Sequence, residues 1–416
     1  MHLMLFVTKT LWLLSFFMIL YAGYYACTSV FALKKLKAIP EAKPKNRFAA
    51  IIAARNEENV IGNLVKSLRE QNYPAELIEV FVIPNNCTDN TRGAALMAGA
   101  VVVDCDREVK SKGDVLNFAF DKIFKGREDF DAYCVFDADN LADPDFFREM
   151  NNALSSGMKA AQGFRDSKNP NDSAVSAWYS IYYLTLNRIL NHSRSVLGMS
   201  SWVNGTGFMI SDEAIRELGG WNTKTISEDM EITTLCVLKG INIGWVPKAV
   251  VYDEQPITFA QSWSQRRRWS TGMQDCAMYI RPLLVSAVRK KNINCIEVVF
   301  TIIAPYVQLL GCIAFMMTMF LTGIKIKYDL FPDTFLFVRL FLSLDSSYIS
   351  TTAVAALAVW LGGKSVRKLS YGILSFWIFL ATWVPINIIS LFWKQKQWSK
   401  IEHTRQLTLR DIVDQE

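Results

Sequence analysis

FAAIIAARNEENVIGNLVKSLREQ, residues 48–71, decides the fold. Phe48–Ala54 is an apolar run of strand length, and the polar break Arg55-Asn56-Glu57-Glu58 ends it. Val60, Leu64 and Leu68 then recur at helical spacing. The same alternation continues outward from this unit. Ile78–Ile83 reads as a second strand and Thr88–Ala98 as a small-residue helix. Val101–Val103 reads as a short strand, Asp114–Phe124 as a helix, and Ala132–Phe136 as another strand. Strand–helix alternation of this kind builds a parallel sheet with right-handed crossovers. Ligands of such sheets sit at the C-terminal ends of the strands. No G-x-G-x-x-G follows any of these strands, so a dinucleotide dehydrogenase is not supported.

The flanks differ from this centre. Of the 416 residues, 51% are apolar and 20% charged, which excludes a disordered chain and argues against a purely soluble one. The net charge of +6 is too small over this length to suggest nucleic acid. None of the eight cysteines forms a CxxC or a zinc spacing with the three histidines, so they read as reduced thiols. Leu11–Leu33 is long enough to cross a bilayer and is followed by Lys34, Lys35, Lys37, Lys43, Lys45 and Arg47. Charges after the run mark a retained anchor with its C-terminal side in the cytosol. Two more spanning runs are Ile296–Ile324 and Tyr371–Trp393. Between them, Leu330–Leu344 carries Arg339 and Ser350–Gly362 is short. The basic tail after Trp393 favours the cytosol, and an even number of crossings then assigns this intervening stretch two.

Five constellations fall where chemistry belongs. Arg55, Asn56 and Glu57, behind Ala53, end the first strand; they suit a ligand and equally a helix cap. Asn85-Asn86-Cys87-Thr88-Asp89 follows the second strand and reads first as turn chemistry. Asp137-Ala138-Asp139 closes the strand Ala132–Phe136. Residues i and i+2 of extended backbone point the same way, so two carboxylates converge and call for a hard cation, Mg²⁺ or Mn²⁺. Ser227-Glu228-Asp229 precedes the apolar helix Ile232–Leu238 and by default is its acidic first turn. Gln265-Arg266-Arg267-Arg268-Trp269 lies in the helical stretch Phe259–Met273, with Gln265, Arg268 and Trp269 on one face. Arg and Gln there suit a diphosphate and Trp offers an aromatic face, while the other faces suit a membrane surface.

Taken in order, DAD, NGTG (Asn204–Gly207), SED and QRRRW resemble the membrane-embedded family 2 glycosyltransferases: the cellulose, hyaluronan, chitin and poly-N-acetylglucosamine synthases, nearest in layout to the bacterial last group. The resemblance runs from Phe48 to Arg289, includes Asp253-Glu254-Gln255-Pro256, and continues loosely through Trp398–Arg405. It implies an α/β GT-A domain, Rossmann-like with a mainly parallel sheet, joined to transmembrane helices. By resemblance, Ala53, Arg55, Asn56, Glu57 and Asn85 border the nucleobase of a UDP-sugar. Lys112, in Lys112-Gly113-Asp114-Val115-Leu116-Asn117, approaches the nucleotide. Asp137 contacts nucleotide or sugar, and Asp139 holds the metal. Asp229 is the catalytic base beside Glu228, and Gln265, Arg268 and Trp269 form the QxxRW site. Asn85 stands where many members carry an acid, and its carbonyl can still accept from uracil.

The implied organisation is an anchor (1–34), a cytosolic GT-A domain (35–258), interfacial helices (259–295), a membrane region (296–393) and a cytosolic tail (394–416). The implied function is inverting transfer from a UDP-sugar, UDP-N-acetylglucosamine or UDP-glucose, to a growing β-linked exopolysaccharide secreted through a multi-pass plasma-membrane protein. The partners implied are the donor, the acceptor, the bilayer and a small accessory membrane subunit, with no nucleic acid. The alternatives are single addition to a lipid-linked acceptor, and a transporter or scaffold with an inactive domain. No PilZ-type module follows the membrane helices, so control by a cyclic dinucleotide is not expected.

Overall fold

The computed structural model describes residues 2–327, 333–395 and 406–413. Eight strands form one sheet: β1 Phe48–Ala54, β2 Ile78–Pro84, β3 Val101–Val102, β4 Ala132–Asp137, β5 Leu141–Ala142, β6 Ala160–Ser167, β7 Phe208–Ser211 and β8 Ile243–Asp253. Their order is β3-β2-β1-β4-β7-β6-β8-β5. β1 lies between β2 and β4 and is parallel to both, with Ala53 opposite Ile83 on one side and Asp137 on the other. Three strand ends therefore open at one edge.

β1 is buried at all seven positions and feeds two cores. Phe48, Ala50 and Ile52 pack with Leu64, Val65 and Leu68 of helix Ile61–Arg69 and with Phe146 and Phe147 of helix Phe146–Ser155. Ala49, Ile51 and Ala53 face Val115 and Leu116 of helix Lys112–Ala119 and Ile232 of helix Glu228–Lys239. The two-residue period of the strand sends alternate side chains to opposite layers. Each fully buried Ile or Phe contributes about 1.5–3 kcal/mol, which fixes the register of the open edge.

The sheet is mixed on its far side. β7 runs antiparallel to both β4 and β6, and β6 and β8 are parallel. Gly207 enters β7 at φ 62°, and a Cβ there would lie 2.5 Å from the Val251 side chain. Glycine thus permits the close approach that carries the NGTG loop across the strand ends.

Three of the described helices are long and apolar enough to cross a membrane: Leu5–Leu33, Ile293–Ile324 and Ser370–Phe392. Asp333–Leu361 is a single helix of 29 residues. The expectation of two crossings between residues 330 and 362 is therefore corrected, because an unbroken helix rising 1.5 Å per residue covers the bilayer about once. A buried node joins the membrane helices to the sheet domain. Arg194 pairs with Glu297 of helix Ile293–Lys327, and the Tyr24 hydroxyl donates to the same carboxylate. Trp398–Arg405 lies outside the described residues.

Candidate active site

A cavity of about 470 Å³ opens at the C-terminal ends of β1, β4 and β8 and extends between the membrane helices. Asp137 and Asp139 meet a third acid there, Asp253, at the end of β8; one oxygen from each lies within 4.8 Å of the others. Three carboxylates so close, with only oxygen to offer, suit a hard divalent cation. Asp253 is nearly fully buried and held on both oxygens. Arg165 donates to Oδ2 from Nε at 3.0 Å, and Asn140 donates to Oδ1 at 2.8 Å. Burial raises its pKa to about 6, even with Arg165 pulling downward.

Lys112 starts the helix Lys112–Ala119, which Ser111 and Asp114 cap reciprocally. Its ammonium donates to Asp137 Oδ1 at 2.5 Å and to the Gly205 carbonyl at 2.7 Å, and stands 4.0 Å from Glu228. Asp137 is held below the usual carboxylate range by Lys112, with help from Arg165 and Arg268, although burial opposes this. Gly113 lets the start of this helix pack closely, since a Cβ there would come within 2.8 Å of Thr223 Oγ1 and 3.2 Å of Glu228 Cβ.

Glu228 and Asp229 occupy the first turn of helix Glu228–Lys239, and both line the cavity. Met230 N–H donates to Asp229 Oδ1 at 2.8 Å. Burial raises both acids above the ordinary carboxylate range, against the pull of Lys112 and Arg268 on each. A buried carboxylate of raised basicity beside a cavity is suited to accept a proton.

Gln265, Arg268 and Trp269 line the same cavity from helix Phe259–Asp275. Trp269 lies between Tyr182 and Trp383, near-parallel to both at 6.0 and 6.4 Å between centroids. The neighbouring arginines serve packing instead. Arg266 is buried, donating to the Phe379 carbonyl at 2.8 Å, and Arg267 donates to the Trp393 carbonyl at 2.7 Å. One helix thus carries a polar site and a membrane-helix contact on different faces.

Ala53, Arg55 and Glu57 reach the cavity, but Asn56 and Asn85 are not among its lining residues. Asn85 is buried and donates its amide to the Ala54 carbonyl at 2.9 Å. Asn56 adopts φ 59° and accepts from Thr88 N–H at 2.7 Å. Both tie the first two strand-end loops together, which is the turn chemistry their letters also allowed. Sequence reasoning missed Arg165, whose guanidinium also donates to the Asn204 carbonyl at 2.5 Å and covers the Tyr183 ring at 4.1 Å. It gave Asp253 no role. Asp253 ends an 11-residue strand, the signal that had marked Asp137. Tyr21, Tyr25, Gln308 and Asn387 also line the cavity, from helices whose sequence reads only as apolar spans.

The profile described as "Glycosyltransferase like family 2" matches residues 44–272. The chain is 22% identical over 377 residues to "Probable glycosyltransferase YdaM" of Bacillus subtilis (strain 168), covering 86% of this chain and 87% of that one. It is 26% identical over 275 residues to the "Beta-monoglucosyldiacylglycerol synthase" of Synechocystis sp., covering 59% of this chain and 53% of the relative. It is 24% identical over 228 residues to the "Poly-beta-1,6-N-acetyl-D-glucosamine synthase" of Staphylococcus aureus (strain MSSA476), covering 53% of each. The chain thus spans about half the length of these last two. Among solved structures, a mannosyltransferase from Pyrobaculum calidifontis, in complex with GDP-Man and Mn²⁺, has the same fold: TM-score 0.58 at 16% identity, covering 90% of this chain and 97% of that chain.

Proposed function

The chain belongs to glycosyltransferase family 2, and on that premise we propose that it transfers sugar from a UDP-sugar, with inversion, to the end of a growing β-linked polysaccharide at a membrane. One observation carries the choice of acceptor. The cavity that begins at Asp137, Asp139 and Asp253 continues to Gln308 and Asn387 of the apolar helices, past Trp269 and Trp383. Asn387 Nδ2 donates to Gln308 Oε1 at 2.6 Å. Amides beside indole faces suit sugar rings better than acyl chains.

The chemistry follows from the side chains. The acceptor hydroxyl gives its proton to Asp229 as its oxygen bonds to the anomeric carbon. The bond from that carbon to the diphosphate breaks, and the nucleoside diphosphate leaves with the electron pair. Lys112 and Arg268 stand where that negative charge grows. Asp137, Asp139 and Asp253 would hold Mg²⁺ or Mn²⁺, which when bound supplies further charge neutralisation. One displacement turns an α-linked donor into a β-linkage. Ala53, Arg55 and Glu57 border the base, and Asn85 acts through the loop rather than by direct contact.

The catalytic domain faces the cytosol in this reading. Helices Ile293–Lys327 and Asp333–Leu361 cross and return, and the segment Ser370–Phe392, although long and apolar enough to span, packs along the catalytic domain instead. Contacts along its whole length support this: Tyr371 to Ser173, Ser375 to Trp178, Phe379 to Arg266 and Asn387 to Gln274. Asn63 also donates to the Leu407 carbonyl at 3.2 Å, which returns the tail to the sheet domain. Reporter cysteines at Ser365 and Gln395 should label from the same side; labelling from opposite sides would restore a third crossing.

A second reading, single addition to a lipid-linked acceptor, is favoured by the similarity to a glucosyldiacylglycerol synthase. A screen of radiolabelled UDP-sugars in membranes tests the donor. One UDP-sugar should release UDP in wild type and not in Asp229→Asn; release from none of them would reject the proposed donor class.

A further inference from the structure

The N-terminal helix does more than anchor the chain. Helix His2–Ser29 presents a half-buried stripe at Leu11, Leu14, Met18, Tyr21, Tyr25 and Thr28, while Phe16, Ile19 and Leu20 are exposed. Tyr21 and Tyr25 stand one turn apart on the stripe, edge to face at 5.1 Å between centroids. Both line the reaction cavity, together with Thr301, Ala304 and Pro305 of the facing helix. Pro305 has no N–H to give to Thr301, so the facing helix lacks that hydrogen bond at a turn that lines the cavity.

The helix is held there by its own tyrosines. Tyr24 donates to Glu297, which Arg194 of the sheet domain also binds, and the Tyr21 hydroxyl donates to the Phe300 carbonyl at 3.0 Å. The Tyr25 side chain pairs with that of Tyr21, so the two phenols stand together at the wall. Tyrosines near a membrane surface are ordinarily headgroup anchors. These two instead face inward, onto the cavity that also holds Asp229 and Trp269. A pair of phenol rings at such a wall matches a sugar, which offers a C–H face and hydroxyl groups together.

The geometry points to Tyr25, supported by Tyr21, as an acceptor-specificity residue: the N-terminal helix forms one wall of the subsite that holds the non-donor saccharide. The inference rests on the polysaccharide reading above. Its consequence is that donor and acceptor recognition separate along the chain, the donor on the strand ends and the acceptor partly on residues 21–25.

The test uses full-length protein in membranes, with Tyr25→Ala, Tyr25→Phe and, on the lipid-facing side, Ile19→Ala. A soluble β-linked oligosaccharide is titrated as acceptor, and the donor is titrated separately. Tyr25→Ala should raise the half-saturating acceptor concentration about tenfold, the scale of one lost hydrogen bond and its ring contact. The donor constant should stay within about twofold on the same reasoning. Tyr25→Phe, which keeps the ring and the fold, should fall between Tyr25→Ala and wild type, and Ile19→Ala should match wild type. Equal changes in both constants for Tyr25→Ala, or no change in either, would overturn the assignment while leaving polymer synthesis by the wild type intact. A wild type that only adds one sugar to lipid would overturn both this inference and the reading beneath it.

Discussion

Replacing Arg165 by Met should weaken the fold and the cation site together. The Arg165 side chain is 8% exposed and that of its partner Asp253 is 4% exposed, so neither charge has water to fall back on. Removing one member of such a pair costs about 3–5 kcal/mol, a large part of the ~5–15 kcal/mol that holds a domain together. Part of the cost is relieved by protonation. Asp253 has a pKa of about 6 with Arg165 in place, and loss of the guanidinium moves it higher, so the acid is increasingly neutral at pH 7. A neutral Asp253 is a poor cation ligand, and removing an outer partner of a metal ligand typically costs about 10–100-fold in affinity. Arg165→Met should therefore lower the melting temperature in detergent and raise the Mn²⁺ concentration needed for half-maximal UDP release by at least about tenfold. The double variant Arg165→Met/Asp253→Asn should be more stable than Arg165→Met alone, because no charge is left buried. Arg165→Lys should keep part of the stability, but one ammonium cannot span both Asp253 and the Asn204 carbonyl. An Arg165→Met protein as stable as wild type, with unchanged Mn²⁺ dependence, would refute the reasoning.

Asp229→Asn should reduce transfer by about 10²–10⁴ and leave UDP binding nearly intact; an equal loss of UDP affinity would make Asp229 a donor-site residue instead. Chelation by EDTA should abolish transfer and added Mg²⁺ or Mn²⁺ should restore it, whereas full activity in EDTA would leave Lys112 and Arg268 to carry the diphosphate alone. Burial raises the pKa of Asp229, and the base acts unprotonated, so the rate should fall with decreasing pH at values above the ordinary carboxylate range. Glu228→Gln removes an adjacent negative charge and should move that fall to lower pH; an unmoved profile would uncouple the two acids.

Local patterns carried the centre of the fold. The apolar runs at 48–54, 78–83 and 132–136 became β1, β2 and β4 within a residue, because strands covered on both faces need no long-range information to be seen. Asp137 and Asp139 were read from their place at a strand end, whereas Lys112 and Asp229 were read from the family resemblance, since a first helical turn alone reads as a cap. Arg165 was not read at all, since its pairing with Asp253 depends on β6 and β8 lying side by side, a contact between residues 88 apart in the chain. Asn56 and Asn85 carry the same letters a ligand site needs, and their bonds to Thr88 and Ala54 show that the loop also uses them. Tyr25 was hidden in composition, because an aromatic in an apolar run looks alike whether it faces lipid or a cavity. The expected second crossing within residues 330–362 failed for a different reason. Counting crossings to keep the basic tail cytosolic asked for two, yet the helix runs unbroken from Asp333 to Leu361.

The size distribution of products made at saturating UDP-sugar tests the polymerase reading most directly. Wild-type membranes given one UDP-sugar, UDP-N-acetylglucosamine first, should yield long β-linked chains with few short intermediates, and Trp269→Ala should shorten the chains more than it weakens UDP binding. A product carrying one added sugar on extractable lipid, under the same saturating donor, would contradict the account and establish the lipid acceptor in its place.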